Sequence, residues 1–410
     1  MSRHIIVVLL GVLLAAGVYS CAMSRAKKSN NTVNEQSSQT LGPSKASSSS
    51  RTPLGVGLEL LQQVGASGVV VSPYSLAAAL ELAEIGSATD TKQALESFLQ
   101  MAYREENVAL MRRGAGGDSA KSLMVANAVW TDGGVTLHPA YAHQLATLFA
   151  AQAKTVPLSA NPGQAAKTIN SWVFDHTQGL IPELVDAAGV QGMRLVLTNA
   201  LYFKGEWLYP FPKAQSVEGD FYTTKGTVRV PLMQMKEQIA YAENAHFQAI
   251  TLPYRDFHYG MLILLPKVDA QRGYHYDWKG LGAHGVNELL DSLTPCETTV
   301  VLPRFSVASH LELTPALSRL GLKEALGSQA DFSLMTTNAE RLSISEVIQA
   351  TRVDVNETTT EAAAATAIAM RCMLAPGLPK TFLANHPFLF AIYRTDPRNA
   401  LIVGVYEPAQ

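Results

Sequence analysis

Cysteine is nearly absent. Three residues in 410, Cys21, Cys296 and Cys372, give no disulfide framework, and their spacing suits no metal site. Charge is sparse too, at 16% of residues with a formal net charge of −2. That is too little for a disordered or coiled-coil chain, and without a basic cluster nucleic acid is excluded as a partner. No internal repeat divides the sequence. The motifs of common catalytic sites are missing as well: there is no G-x-S-x-G, no H-E-x-x-H and no glycine-rich phosphate loop. His138 and His143 stand five apart and so do not share a helix face as two zinc ligands would. Surface or capping roles are expected for the histidines. These absences point away from an enzyme, and no cofactor is expected. What is plentiful is apolar residues, 47% of the chain, ample for a large core.

The N-terminus stands apart. Arg3 supplies a basic lead, Ile5 to Gly17 is an unbroken apolar run, and Val18-Tyr19-Ser20-Cys21 follows. This is the pattern of a signal peptide over residues 1–20. Val18, Ser20 and Cys21 resemble a bacterial lipobox, which implies an exported protein held to a membrane of the cell envelope or cell surface by lipid on Cys21. An uncleaved anchor is the alternative, since Ile5 to Met23 is nearly long enough to cross a bilayer at ~1.5 Å per residue. Residues 21–52, rich in Ser, Asn, Thr and Lys, read as a flexible linker. The globular pattern then runs over 53–410.

Leu58, Leu60, Leu61 and Val64 predict a helix ending at Gly65 or Gly68, followed by a short strand at Val69-Val70-Val71. Ser72-Pro73-Tyr74-Ser75 then opens a helix, with Ser as cap and Pro in the first turn, that Gly86 stops. Strands are predicted at Ser122 to Trp130 and at Arg194 to Trp207, the latter apolar on both faces except at Thr198 and Asn199. Short strands follow at Val230 to Met233, Leu252 to Tyr254 and Met261 to Pro266, and a further strand at Thr298 to Val307. A helix is predicted within Leu311 to Leu326 and a strand over Ser343 to Glu357. Phe388 to Tyr393 and Leu401 to Tyr406 read as core strands around the turn Asp396-Pro397-Arg398-Asn399.

One stretch reads two ways. From Val353 to Leu374 the Ala run favours helix, whereas Val353 and Val355 alternate and Thr358, Thr359 and Thr360 are β-branched, with no Gly or Pro between the halves. As a strand, its even positions Thr360, Ala362, Ala364, Thr366, Ile368 and Met370 form one small or apolar face, while Glu361 and Arg371 share the other. The first face is able to enter a sheet without burying a charge.

Asn356-Glu357 with Thr360 to Ala367 resembles the hinge of the reactive-centre loop of serpins. Asn385-His386-Pro387-Phe388 resembles their C-terminal signature, and Thr198-Asn199-Ala200-Leu201-Tyr202-Phe203-Lys204-Gly205-Glu206-Trp207 resembles a third family motif. The resemblance spans Pro53 to Gln410. It implies an α+β serpin fold of three β-sheets and eight or nine helices with an exposed reactive-centre loop, no cofactor, and a monomer whose partner is a target serine protease. Its mechanism is suicide inhibition: the loop is cleaved and inserts into the main sheet. Counting from Glu357 as in inhibitory members places the reactive bond at Met373-Leu374, which suits a chymotrypsin- or elastase-like enzyme. A register at Arg371 would suit trypsin-like ones. The hinge then comprises Glu357, Thr359, Thr360, Glu361, Ala362, Ala363, Ala364, Ala365 and Thr366. Thr359 stands where inhibitory members usually have Gly, which leaves a non-inhibitory serpin, a protease substrate or a binding or chaperone-like module, as the alternative. The resemblance also implies a sheet-opening region in which Asn199 meets Ser72, Ser75 and Gln349, and an Arg304–Glu357 ion pair beside Trp207.

Overall fold

The computed structural model describes residues 52–65, 67–99, 123–149, 151–255, 257–268, 273, 282–337, 342–344, 346–358 and 378–409. The leader, the linker up to residue 51, Cys21, the hinge from Thr359 to Thr366, Arg371 and the Met373-Leu374 bond lie outside them.

Helix starts follow a repeated local code. In α1 (Pro53–Val64) the Thr52 hydroxyl accepts from Gly55 N–H, and in α2 (Pro73–Glu84) the Ser72 hydroxyl accepts from Ser75 N–H. In the helix Pro162–His176 the Asn161 side chain accepts from Gln164 N–H. Each has proline at the first position, where the missing N–H costs nothing and φ is already helical. Gly65, at φ +92°, ends α1 as expected. α3 (Thr89–Leu99) follows α2, and β1 (Val70–Val71) joins α1 to α2.

Five strands form the sheet that matters most for the site. They are β2 (Leu123–Thr131), β3 (Gln152–Thr155), β4 (Leu195–Phe203), β10 (Phe305–Glu312) and β11 (Ile348–Val355), ordered β10-β11-β4-β2-β3. Both faces are covered, hence the near-continuous apolar run in β4. Val196, Ala200 and Ala350 pack with Trp130 under the helix Pro162–His176, through its Ile169, Trp172 and Val173. Leu195, Leu197, Leu201, Phe203 and Val353 face the main core, which includes α1 and α2. One pairing stands out: β11 runs parallel to β4, from Ile348 opposite Thr198 to Val353 opposite Phe203.

A second ladder of nine strands completes the domain: β5 (Val217–Thr223), β6 (Gly226–Glu243), β7 (Phe247–Pro253), β8 (Tyr259–Pro266), β9 (Thr294–Pro303), β12 (Lys380–Leu383), β13 (Phe388–Arg394), β14 (Ala400–Tyr406) and β1. The hairpin β13–β14 and its Asp396 turn are as expected, with Asn399 N–H on Asp396 C=O at 2.8 Å.

Several expectations are corrected. The described strands make two ladders, not three, because β6 is a single strand of 18 residues that pairs β5 over its first half and β9 and β7 beyond. The strand expected at Thr298 to Val307 is broken at Arg304. β9 belongs to the large ladder and β10 to the five-stranded sheet, so one residue passes the chain between sheets. Leu311 and Glu312 belong to β10, and the helix expected within Leu311 to Leu326 begins after them, over Thr314–Leu317. It continues over Ser318–Leu322, kinked at Gly321, whose φ is +110°. The strand expected from Ser343 begins only at Ile348.

Candidate functional site

Gln349 opens β11, directly opposite Asn199 of β4 in the ladder. Both of its amide groups are used: Nε2 donates to Ser72 C=O and Oε1 accepts from Ser72 N–H, each at 2.8 Å. The Ser72 hydroxyl donates to Leu401 C=O at 2.7 Å and accepts from Ser75 N–H at 3.0 Å. Ser72 and Ser75 are fully buried, so each bond satisfies a group that water cannot reach. Ser72, Ser75 and Gln349 thus come together through the Ser72 backbone and hydroxyl, while the Asn199 side chain, expected to meet them, lies outside what the structure describes. Asn199 pairs through its strand with Gln349 on one side and Asn127 on the other.

At the far end of β11 the chain leaves the sheet through Asn356 and Glu357. The Glu357 side chain is only 4% exposed, whereas that of Arg304 is 50% exposed. Arg304 reaches Glu357 with two hydrogen bonds, Nε to Oε2 at 3.1 Å and an Nη2 to Oε1 at 2.5 Å. Ser216 Oγ adds a third, to Oε1 at 2.7 Å, and Phe211 N–H donates to Glu357 C=O at 3.1 Å. Burial alone would raise the Glu357 pKa, but the bonds from Arg304 and Ser216 outweigh it and hold the carboxyl below the usual carboxylate range. The same bond pushes the Arg304 pKa upward.

Trp207 completes the clamp. Its indole N–H donates to Asn356 C=O at 2.9 Å, and its ring stacks on Tyr254 with centroids 4.5 Å apart and planes 10° from parallel. Gly205 makes that stack fit, because a Cβ there would lie 2.3 Å from the Tyr254 ring. The expected ion pair beside Trp207 is therefore assembled. Sequence reading missed Ser216, Phe211 and Tyr254, which carry no motif of their own; Gly205 had a signal in the Lys204-Gly205-Glu206-Trp207 run.

A polar network also bridges the parallel seam. Arg352 Nε donates to Asp354 at 3.1 Å, and Asp354 accepts from Tyr202 of β4 and from Ser306 of β10 as well. Burial works to raise the Asp354 pKa, but these bonds prevail and hold it low. Burial first, and then Asp354, push Tyr202 up to about 12. Among the described residues no group of His, Cys, Asp and Glu is arranged to hold a metal ion. His386, among the histidines for which surface or capping roles are expected, is buried, with Nε2 2.7 Å from Pro266 C=O.

A five-stranded sheet clamped at the point where one strand gives way to a loop, and packed against a second ladder, defines the class of serpin folds. The structure of uncleaved ovalbumin superposes with a TM-score of 0.75 at 21% identity, covering 87% of this chain and 99% of that one. The family described as Serpin (serine protease inhibitor) matches residues 54–408. An uncharacterized serpin-like protein of Thermococcus kodakarensis is 33% identical over 346 residues, 82% of this chain and 79% of the relative. The leukocyte elastase inhibitor of Homo sapiens is 32% identical over 380 residues, 88% of this chain and 98% of the human protein. The chain belongs to the serpin family.

Proposed function

We propose that the protein is a suicide-substrate inhibitor of serine proteases, of chymotrypsin or elastase type, cut at Met373-Leu374. The observation that carries this reading is the direct parallel pairing of β11 with β4, immediately upstream of the loop. A segment turning back after Glu357 and entering between them would run antiparallel to both. It would replace one parallel interface, the weaker kind per residue, by two antiparallel ones. About a dozen ladder bonds at roughly 1 kcal/mol net each rival the ~5 to 15 kcal/mol stability of a whole domain. The small inward face from Thr360 to Met370 suits rapid entry.

In the trapping step the protease serine Oγ adds to the Met373 carbonyl carbon. The C–N bond to Leu374 then breaks, its amine leaves with a proton, and an ester remains. Insertion carries the ester away before water cleaves it. Mixing with chymotrypsin or elastase should give a complex stable in SDS. Release of only a clipped chain and active protease would favour the second reading, a non-inhibitory substrate or binding module, for which the stiff Thr359 speaks. Mild peroxide should weaken inhibition by making Met373 polar; unchanged inhibition would reassign the reactive bond.

An exported, lipid-tethered monomer is the accompanying reading: residues 1–20 removed, Cys21 lipidated, and 21–52 linking it to the domain 53–410. Labelled palmitate should enter the wild type and not Cys21→Ser. Equal labelling of the two would remove Cys21 from this role.

A further inference from the structure

Among the described residues four non-glycine residues sit at positive φ: Thr89, Gln178, Phe257 and Thr395. Two of them share one surface. Phe257, at φ +58°, lies on the turn between β7 and β8, and Thr395, at φ +61°, lies on the turn between β13 and β14. Thr395 N–H donates to His258 C=O at 3.0 Å and so laces the turns together. A bulky side chain at positive φ is a steric outlier that glycine would relieve. Burial does not compensate it here, because Phe257 is 74% exposed. Strain of this kind held by surrounding structure is a mark of a functional position.

The turn is also rigidly fixed. Phe257 N–H donates to Tyr254 C=O at 3.1 Å, Tyr254 N–H to Tyr259 C=O at 3.0 Å, and Arg255 N–H to Glu206 C=O at 2.7 Å. Tyr254 stacks on Trp207, and Trp207 holds Asn356 C=O. Three contacts therefore lead from Phe257 to the residue just ahead of the loop. Thr358 is the last described residue ahead of the loop, so on the proposed reading the segment that holds the protease departs from this corner.

We propose that Phe257 is a docking anchor for the target protease, entering an apolar depression on the enzyme beside its substrate cleft. This rests on the proposed inhibitory reading. An aromatic side chain presented with its backbone already fixed loses little freedom on binding, the character of an interface hot spot.

The test uses the full domain against chymotrypsin and elastase, each both active and with its catalytic serine replaced by alanine. Phe257→Gly relieves the backbone and removes the ring; Phe257→Tyr keeps the ring. Phe257→Gly should bind the inactive enzymes about tenfold or more weaker, with a melting midpoint equal to or above that of the wild type. Phe257→Tyr should bind within about twofold of the wild type. With active enzyme, Phe257→Gly should form covalent complex more slowly at unchanged stoichiometry. Equal docking of Phe257→Gly and wild type, with covalent complexes still formed, overturns the anchor and leaves inhibition standing. Weaker docking of the variant with no covalent complex from either protein upholds the anchor and overturns trapping. The anchor is also overturned if the wild type docks neither inactive enzyme, or if Phe257→Gly melts lower in step with its loss of binding. Phe257-dependent flotation on phosphatidylglycerol vesicles with unchanged protease docking would assign the ring to a membrane instead and sink the proposal.

Discussion

Removing one partner of the Arg304–Glu357 pair tests how much the clamp at the base of the loop contributes. Glu357 is the buried member, with a side chain 4% exposed, so Arg304→Ala leaves a carboxylate enclosed with Ser216 Oγ as its remaining side-chain donor. Stranding a fully buried partner costs about 3 to 5 kcal/mol. Arg304 is half-exposed, water replaces part of its charge, and the expected loss falls to about 2 to 3 kcal/mol. With an unfolding entropy near 2.1 cal/mol/K per residue, a domain of this size loses about 0.75 kcal/mol per kelvin, so the midpoint should drop by about 3 to 4 °C. Glu357→Gln leaves no buried charge and should cost less. Denaturant unfolding of both single variants and the double variant gives the coupling, expected above about 1 kcal/mol. The pH dependence has a definite sign. The carboxyl is depressed in the fold, so its contribution is fully present above the unfolded pKa near 4.3 and is lost as pH falls through the folded value. Wild type and Glu357→Gln should converge below that window. Additivity within about 0.3 kcal/mol, or a difference constant with pH, would refute the clamp.

Gln349→Ala removes both bonds to the Ser72 backbone; Ser72 C=O keeps Leu76 N–H at 3.0 Å, but the buried Ser72 N–H is left unmet, a loss of about 1 to 3 kcal/mol readable by denaturant unfolding. Tyr202→Phe deletes the bond to Asp354 across the parallel seam and should speed hydrogen exchange of β11 amides severalfold, with β13 unaffected. His386 has its pKa lowered by burial, so the unfolded chain takes up its proton first. Stability from this group is full above about pH 6.5 and falls as pH drops toward the folded value; in His386→Gln that part of the slope between pH 7.5 and 5 should vanish. Gly205→Ala should push the Tyr254 ring off Trp207, given the 2.3 Å approach, and change the tryptophan emission of the native state. An unchanged spectrum would show that the stack has slack.

The parts legible in the sequence are those fixed by near neighbours. Ser72-Pro73 announces a helix start because cap and first-turn proline act within three residues. Asp396 to Asn399 announces a hairpin because the turn chemistry is local. The Arg304–Glu357 pair and the parts played by Gln349 and Trp207 were reached only through whole-motif resemblance, since their partners lie far off in the chain. Ser216 is the plainest omission: a serine before a strand carries no sign that Glu357, 141 residues later, will accept its hydroxyl. The burial of His386 is illegible for a related reason, because it follows from β8 bringing Pro266 C=O to its ring.

The break at Arg304 shows most clearly what patterning leaves out. From Thr298 to Val307 the apolar residues carry on through Pro303 and Phe305, so periodicity has nothing to report when the chain changes sheets. Yet that change gives Arg304 its role. Its N–H donates to Pro231 C=O in the large ladder at 2.9 Å, while Phe305, the next residue, pairs with Val355 at the end of β11. A guanidinium at this corner is fixed to both sheets by its own backbone. When it grips Glu357 it fastens the loop's departure point to the junction between them. Were it placed mid-strand, the same side chain would brace one ladder only. At the crossover, any movement of β11 away from β10 has to strain a bond anchored in the other sheet, which is why the ion pair acts as a clamp despite the exposure of its arginine.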